Sequence, residues 1–192
     1  MLLTPTDEQL VARVLAGDRN SFRALVERHY ASVFRLSRSI VKCSEDAEDA
    51  TQEIFVRAYE ALGQYSGRGA FGGWLRRMTV NHCLNRVTSS AAKHTSRSYS
   101  IDLMAETLPA SVESDPEASL LRSEATARIR HELNELPSAQ RAALGLRLLD
   151  GLSYDEIADI MGVPVNSVRS WLHRGRAKLR GALEKEGDEV FV

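Results

Sequence analysis

Between Asn166 and Arg180 the chain carries five Lys or Arg residues and no Asp or Glu. Arg169, Arg174, Arg176, Lys178 and Arg180 can neutralise phosphates, and Asn166, Ser167, Ser170 and His173 between them can hydrogen-bond to base edges. This is the chemistry of duplex DNA recognition. A helix fits the major groove, its first turns bring side chains to the bases, and flanking cations meet the backbone. Covalent catalysis finds no comparable support. His82 and Cys83 are adjacent, and neighbouring side chains on a helix point about 100° apart, so they cannot work together as base and nucleophile. No Gly-rich phosphate loop is visible, and His29, His82, His94, His131 and His173 show no ligand spacing with Cys43 or Cys83. No metal or other cofactor is expected, and the chain reads as no enzyme.

The elements that would position those basic residues are legible around them. Ser153 and Glu156 form a capping box, which opens a helix with Ile157, Ala158 and Met161 on its inner face. Gly162 suits a turn where a Cβ is unwelcome, and Pro164 suits the start of a second helix that buries Val168 and Leu172. Two short helices joined by a tight turn, the second basic, make a helix-turn-helix. A solvated helix closing a bundle would share the charge run but not the turn.

The net charge of the 192 residues is only −1, because opposite charges are segregated. Glu45 to Glu53 holds five acids and no base, whereas Arg68 to Arg97 holds six Arg or Lys and no acid. Such blocks suggest separate surfaces for separate partners. No apolar run approaches a membrane span and no export signal opens the chain, so a cytoplasmic protein without membrane contact is expected. In that compartment Cys43 and Cys83 are expected to be small buried hydrophobes, not a disulfide.

Read in order, Thr6 and Gln9 cap a first helix that ends near Gly17. Asn20 caps a second, with Phe22, Leu25, Val26, Val33, Leu36 and Ile40 at helical spacing. Ser44 caps a third, whose stripe is Ala47, Ala50, Ile54, Ala58 and Leu62 and which Gly63 stops. After a loop from Gln64 to Gly69, a fourth runs from about Phe71 to Val87. Residues 91–115, rich in Ser, Thr and Ala, read as a flexible linker. Asp115-Pro116 opens a helix with Leu120, Leu121, Ile129 and Leu133, and Ser138 caps another with Ala142, Leu146 and Leu149 inward. The polar tail after Leu183 is expected to fray. The expectation is an all-α chain of two small domains, 1–90 and 116–192.

Taken together, LRLLDGLSYDEIA and VPVNSVRSWLHRGRAKLR, after Leu136-Pro137 and Arg141, resemble the promoter-reading domain of extracytoplasmic-function sigma factors. The first half resembles the same family through GDRNSFRALVERHY, DAEDATQEIFVRAYEAL and GAFGGWLRRMTVNHCLNRV. The resemblance implies a factor that directs core RNA polymerase to promoters and helps melt DNA, with polymerase doing the chemistry. It implies docking of Asp49, Gln52, Glu53, Phe55 and Tyr59 on the β′ clamp helices, a second contact with the β flap, and control by an anti-sigma factor. Tyr65, Ser66, Arg68, Trp74, Arg77, Asn81 and Asn85 fall where the family opens DNA and reads the −10 element; aromatics beside Arg and Asn suit unpaired bases. Asn166, Ser167, Arg169, Ser170, His173, Arg174 and Lys178 fall where it reads the −35 element. Trp171 stands where the family usually has Arg, and Gly175 where Ala is common. The rival reading is a free-standing helix-turn-helix regulator, which explains the second half but not the acidic helix or the aromatic loop.

Overall fold

The computed structural model describes residues 4–67, 70–93, 129 and 131–189. Among these residues there is no strand, and the α-helices are α1 (Asp7–Leu15), α2 (Asn20–Ile40), α3 (Ser44–Glu60), α4 (Phe71–Lys93), α5 (Ser138–Leu148), α6 (Tyr154–Met161) and α7 (Val165–Glu189), with a further helical stretch at 131–134. A 3-10 turn at Leu62–Gln64 follows α3. The all-α expectation holds. Arg68, the part of the linker after Lys93, the Asp115-Pro116 start with Leu120 and Leu121, and the last residues of the tail lie outside the described residues.

Helix starts follow local hydrogen bonding. The Thr6 box forms as expected, with the Thr6 N–H donating to Gln9 Oε1 at 3.0 Å and the Gln9 N–H donating to Thr6 Oγ1 at 3.3 Å. Three other caps differ from expectation. Asn20 is the first residue of α2, and Asp18 does the capping, accepting from the Asn20 N–H at 3.1 Å and the Ser21 hydroxyl at 2.7 Å. That hydroxyl holds the Asp18 carboxyl below its ordinary range. Ser44 and Ser138 likewise sit inside α3 and α5, with Cys43 and Pro137 at the cap positions and no side-chain cap bond. In α3 the dipole is met instead by Glu45 and Asp46 in the first turn. Gly63 does not stop α3, which ends at Glu60; it lies within the 3-10 turn. The fourth helix runs past Val87 to Lys93.

The expected stripes make the core. Leu25, Leu36 and Ile40 of α2 meet Ala47, Ala50, Ile54 and Ala58 of α3, with Phe71, Leu75 and Val80 of α4 against them, all buried. Full burial of a Leu or Ile side chain contributes about 1.5–3 kcal/mol, so this stripe dominates the stability of the first half. Cys83 is buried as expected, but Cys43 is exposed, because it stands at the cap of α3 and not within it. Leu149, expected inward, is 49% exposed: it follows the last helical residue, so the periodicity no longer governs it.

The two halves pack against each other, which two small domains on a linker did not imply. Helix α2 touches α5 as well as α1, α3 and α4, and α4 touches α6. Arg141 of α5, only 4% exposed, donates from Nε to the Ile40 carbonyl at 3.0 Å and from Nη1 to the Leu136 carbonyl. Ile40 ends α2, where carbonyls lack intrahelical partners and the helix dipole is negative. Arg141 therefore caps one half from the other.

Candidate nucleic-acid interface

The helix-turn-helix forms as its residues dictate. The Ser153 hydroxyl accepts from the Glu156 N–H at 3.3 Å, and Glu156 Oε2 accepts from the Ser153 N–H at 2.8 Å. These bonds with Ser153 hold the Glu156 carboxyl below its ordinary range. Gly162 ends α6 at φ +64°, the left-handed conformation that glycine adopts without a Cβ penalty. Ile157, Ala158, Val168 and Leu172 are buried beneath the turn.

On α7, Val168, Leu172 and Gly175 form the buried stripe, and Asn166, Arg169, His173 and Arg174 are exposed beside it. Ser167 and Ser170 are half-buried. Positions 166, 169, 170, 173 and 174 share one face at three- and four-residue spacing. Arg169 donates to Asn166 Oδ1 at 3.0 Å, which orders the outer face at its start. Lys178 lies 3.6 Å from Glu132, so this cation, expected on phosphate, has an internal partner. Trp171 is half-buried and packs against the core. Gly175 is buried where a Cβ would lie 3.0 Å from Cγ of Leu144, so α7 approaches α5 more closely than Ala would allow without movement of Leu144.

The second constellation lies on α4. Trp74 is half-buried, and Arg77, Asn81 and Asn85 are exposed; their spacing puts all four on one face. Tyr65 sits at the start of this face, with its ring 5.6 Å from that of Trp74 and 5.7 Å from that of Phe71. Burial, then the charges of Glu8 and Asp7, raise the Tyr65 hydroxyl above its ordinary pKa. Ser66 is exposed at the loop. A shallow depression of about 410 Å³ lies beside this face, lined by Arg57, Glu60, Ala61, Gln64 and Met78. Arg77 is not idle, since it donates to the Asp159 carbonyl of α6 at 2.8 Å.

The third is the acidic face of α3. Asp49, Gln52, Glu53 and Tyr59 are exposed, but Phe55 is 6% exposed and stacks near Tyr30 at 6.3 Å, so its side chain packs in the core. Val56 beside it is 58% exposed, and the sequence reading missed it. The signal was available: Val56 is an apolar residue off the buried stripe of 47, 50, 54 and 58. Arg86 of α4 reaches the same face. Its guanidinium reaches Asp46 at 3.1 Å, Asp49 at 3.3 Å and Glu53 at 3.1 Å. Burial opposes the charge on Arg86, but these three carboxylates outweigh it and raise its pKa. His82 Nε2 lies 3.3 Å from the other oxygen of Glu53. Burial, with Arg57 and Arg86 nearby, lowers the His82 pKa, so its ring is neutral at pH 7.

Comparison with known proteins covers both halves of the chain. Residues 25–93 match sigma-70 region 2, and residues 126–179 match sigma-70 region 4. The chain is 35% identical over 192 residues to the RNA polymerase sigma-H factor of Pseudomonas aeruginosa, covering 96% of this chain and 97% of that one. It is 38% identical over 175 residues to the ECF RNA polymerase sigma-E factor of Escherichia coli K12, covering 89% and 91%. Among solved structures it resembles CnrH in complex with the cytosolic domain of CnrY, at 26% identity and TM-score 0.65 over 94% of this chain and 99% of that one. Its fold also matches that of RpoE bound to NepR from Bartonella quintana, at 21% identity and TM-score 0.67, over 85% and 96%. Matches to both halves, in order, leave a free-standing helix-turn-helix regulator without support. The chain belongs to the extracytoplasmic-function sigma factors of the sigma-70 family, the transcription initiation factors that direct core RNA polymerase to its promoters.

Proposed function

We propose that residues 1–90 dock on polymerase through α3 and read the −10 element through α4, while residues 116–192 read the −35 element through α7. The observation that carries this reading is the shared face of Trp74, Arg77, Asn81 and Asn85, with the Tyr65 ring at its head. Opening a duplex costs a few kcal/mol per extruded base, and a captured base must offset that. Asn81 offers a donor and an acceptor to a base edge, and the depression at Gln64 and Met78 is large enough for one base. Ser66 completes this site from the loop, and we assign Arg68, which lies outside the described residues, to the same element.

On α3, exposed Asp49, Gln52, Glu53, Val56 and Tyr59 present carboxylates around an apolar centre, suited to basic and apolar side chains of the β′ clamp helices. On α7, Arg169 and Arg174 suit guanine edges, with Asn166, Ser167, Ser170 and His173 beside them. Polymerase supplies the chemistry, and this chain supplies recognition. Among the described residues no helix is long and apolar enough to cross a membrane; we place the factor in the cytoplasm, in contact also with the β flap and held in check by an anti-sigma protein. RpoE from Bartonella quintana, which shares this fold, is bound in its solved structure to the anti-sigma factor NepR.

Asn81→Ala in reconstituted holoenzyme tests the central assignment. Transcription from closed templates should fall, and a template pre-melted across the downstream element should restore part of it, because the opening cost is gone. Equal loss on every template, with early melting of the variant, would refute base capture. Asn81 is the better probe than Tyr65, whose ring also packs on Phe71 and Trp74.

A further inference from the structure

The surfaces assigned above lie on α3, α4 and α7, and α1 belongs to none of them. Its residues Leu10 and Val11 are buried, as packing alone would require. Its first turn does more than pack. Asp7 accepts from Arg28 and lies 2.8 Å from His29 Nε2, both on α2, and Arg28 also donates to the Pro5 carbonyl at 2.8 Å. The Asp7 and His29 side chains are only 19% and 17% exposed. A carboxylate so placed fixes the plane of the imidazole, whose terminal torsion is otherwise broad. The His29 ring in turn lies 5.4 Å from that of Phe71, at an interplanar angle of 61°. Phe71 is the fully buried first residue of α4, and the Tyr65 and Trp74 rings rest on it. At the next residue, Gly72, a Cβ would stand 3.6 Å from His29 Cε1, so the imidazole lies against the first turn of α4. Helix α1 also packs on the 3-10 turn that leads into Tyr65. The carboxylates of Glu8 and Asp7 stand near enough to the Tyr65 hydroxyl to add to the rise that burial gives its pKa.

We propose that Asp7 and His29 are positioning residues for the −10 site: through Phe71 they hold the Tyr65 and Trp74 rings, and the loop that carries Tyr65, in the arrangement that receives an unpaired base. The inference rests on the reading of α4 given above. The physical need is preorganisation. Gly63 and Gly67 flank Tyr65, and Gly67 stands at φ +69°, so the backbone here has many alternatives open to it. A loop that becomes ordered only when the base arrives takes that entropy out of the binding free energy, whereas a loop already held does not. Core burial alone does not supply the hold, since Tyr65 is only half-buried. The hydrogen bond from α2 to α1 supplies it from behind, by fixing a third ring against Phe71. Helix α1 is thus divided, with Leu10 and Val11 serving the fold and Asp7 serving the site. Neither Asp7 nor His29 touches a base in this account; both act through Phe71.

The test uses the full chain in reconstituted holoenzyme. Wild-type holoenzyme first selects promoters from a linear duplex library of random sequence, and one selected promoter is then varied base by base. Asp7→Ala and His29→Ala should each lower discrimination among bases at the captured position by about fivefold, the low end of what one good base contact provides. Combining them should lower it no further, because both act along one path. Discrimination within the upstream element should not change. Asp7→Asn keeps an oxygen that accepts from His29 and should recover most of the loss. Leu10→Val weakens α1 through its core; it should lower the melting temperature without touching base preference, and so measures what a structural role alone would do. A second readout needs no DNA. In a Trp171→Phe background Trp74 is the sole tryptophan, and acrylamide should quench its emission more readily in Asp7→Ala than in Leu10→Val. Should Asp7→Ala lose its helical circular dichroism, His29→Phe takes its place in both measurements, since it keeps a ring on Phe71 but cannot bond to Asp7. Equal quenching in Asp7→Ala and Leu10→Val overturns the proposal, as does full base discrimination in Asp7→Ala where Asn81→Ala loses it. If Asn81→Ala also keeps full discrimination, it is the reading of α4 that falls, and the quenching alone decides whether Asp7 holds the rings.

Discussion

Arg86 Nη1 on α4 lies 3.1 Å from Glu53 Oε1 on α3. The helix we assign to DNA and the helix we assign to polymerase are therefore bonded side chain to side chain. Asp46, Asp49 and Glu53 fall on one stripe of α3 across two turns, and one guanidinium serves all three. One cation against three carboxylates leaves the face acidic, so it can still attract basic residues of a partner.

Gln52 is the cleanest probe of that face, since it is exposed and stands outside the Arg86 cluster. Gln52→Ala should leave the melting temperature unchanged and weaken binding to core polymerase by about 1 kcal/mol, the value of one ordinary hydrogen bond. An Asp49→Ala, Gln52→Ala, Glu53→Ala variant should weaken it further and also melt slightly earlier, because two partners of Arg86 go with it; exposed ion pairs contribute about 0–1 kcal/mol. Co-elution with core enzyme at limiting concentration is the measurement, and undiminished co-elution counts against the assignment.

On the recognition helix, Arg169→Ala or Arg174→Ala should cost about 1–3 kcal/mol and relax discrimination at one base pair if that Arg makes a bidentate guanine contact. Lys178→Ala should cost less and act equally on all sequences, since Lys178 is shared with Glu132. Binding to a panel of upstream-element variants at several salt concentrations separates the two behaviours.

His82 gives the fold a pH dependence of known sign. Its pKa is lowered in the folded chain, first by burial, so the unfolded chain binds the proton more readily. Stability should accordingly be full above the unfolded value of about 6.5 and decline as pH falls below it. Thermal melting between about pH 5 and 7 should show this decline, and His82→Gln should flatten it. Asp18 and Glu156 have lowered carboxyl pKa values and contribute their own losses only at more acidic pH. An identical slope in the Gln variant would remove His82 from the account.

The two thiols should react in separate phases. Cys43 is exposed, while Cys83 is buried and its thiol is pushed up to about 11. A thiol-reactive disulfide reagent at pH 8 should modify one thiol quickly in the native chain, and the second only on unfolding. Cys43→Ser should eliminate the fast phase. Cys83→Ser should leave it intact.

The periodic elements were readable in advance because apolar spacing is a strong local signal. The stripe from Ala47 to Ala58, the Thr6 and Ser153 boxes and the turn at Gly162 all form as the residues imply. Caps at Asn20, Ser44 and Ser138 were misplaced by a residue or two, since several polar residues compete at each start and only geometry chooses among them. Phe55 shows a different limit. An aromatic beside the core stripe can turn either way, and stacking near Tyr30 turns it in. Arg86 and Arg141 were beyond reach because their partners lie far off in the chain, at Glu53 and Ile40, and no local pattern announces a long-range pair.

On α7, inner and outer residues are strictly partitioned: Val168, Leu172 and Gly175 hold the helix to the domain, and Arg169, His173 and Arg174 touch none of that stripe's burial. Exposed substitutions of this kind ordinarily change stability by no more than about 0.5 kcal/mol. Promoter preference can thus drift through outer-face mutations while the domain stays folded. Descendants of such a chain can acquire new regulons one side chain at a time, without first accumulating stabilising changes elsewhere.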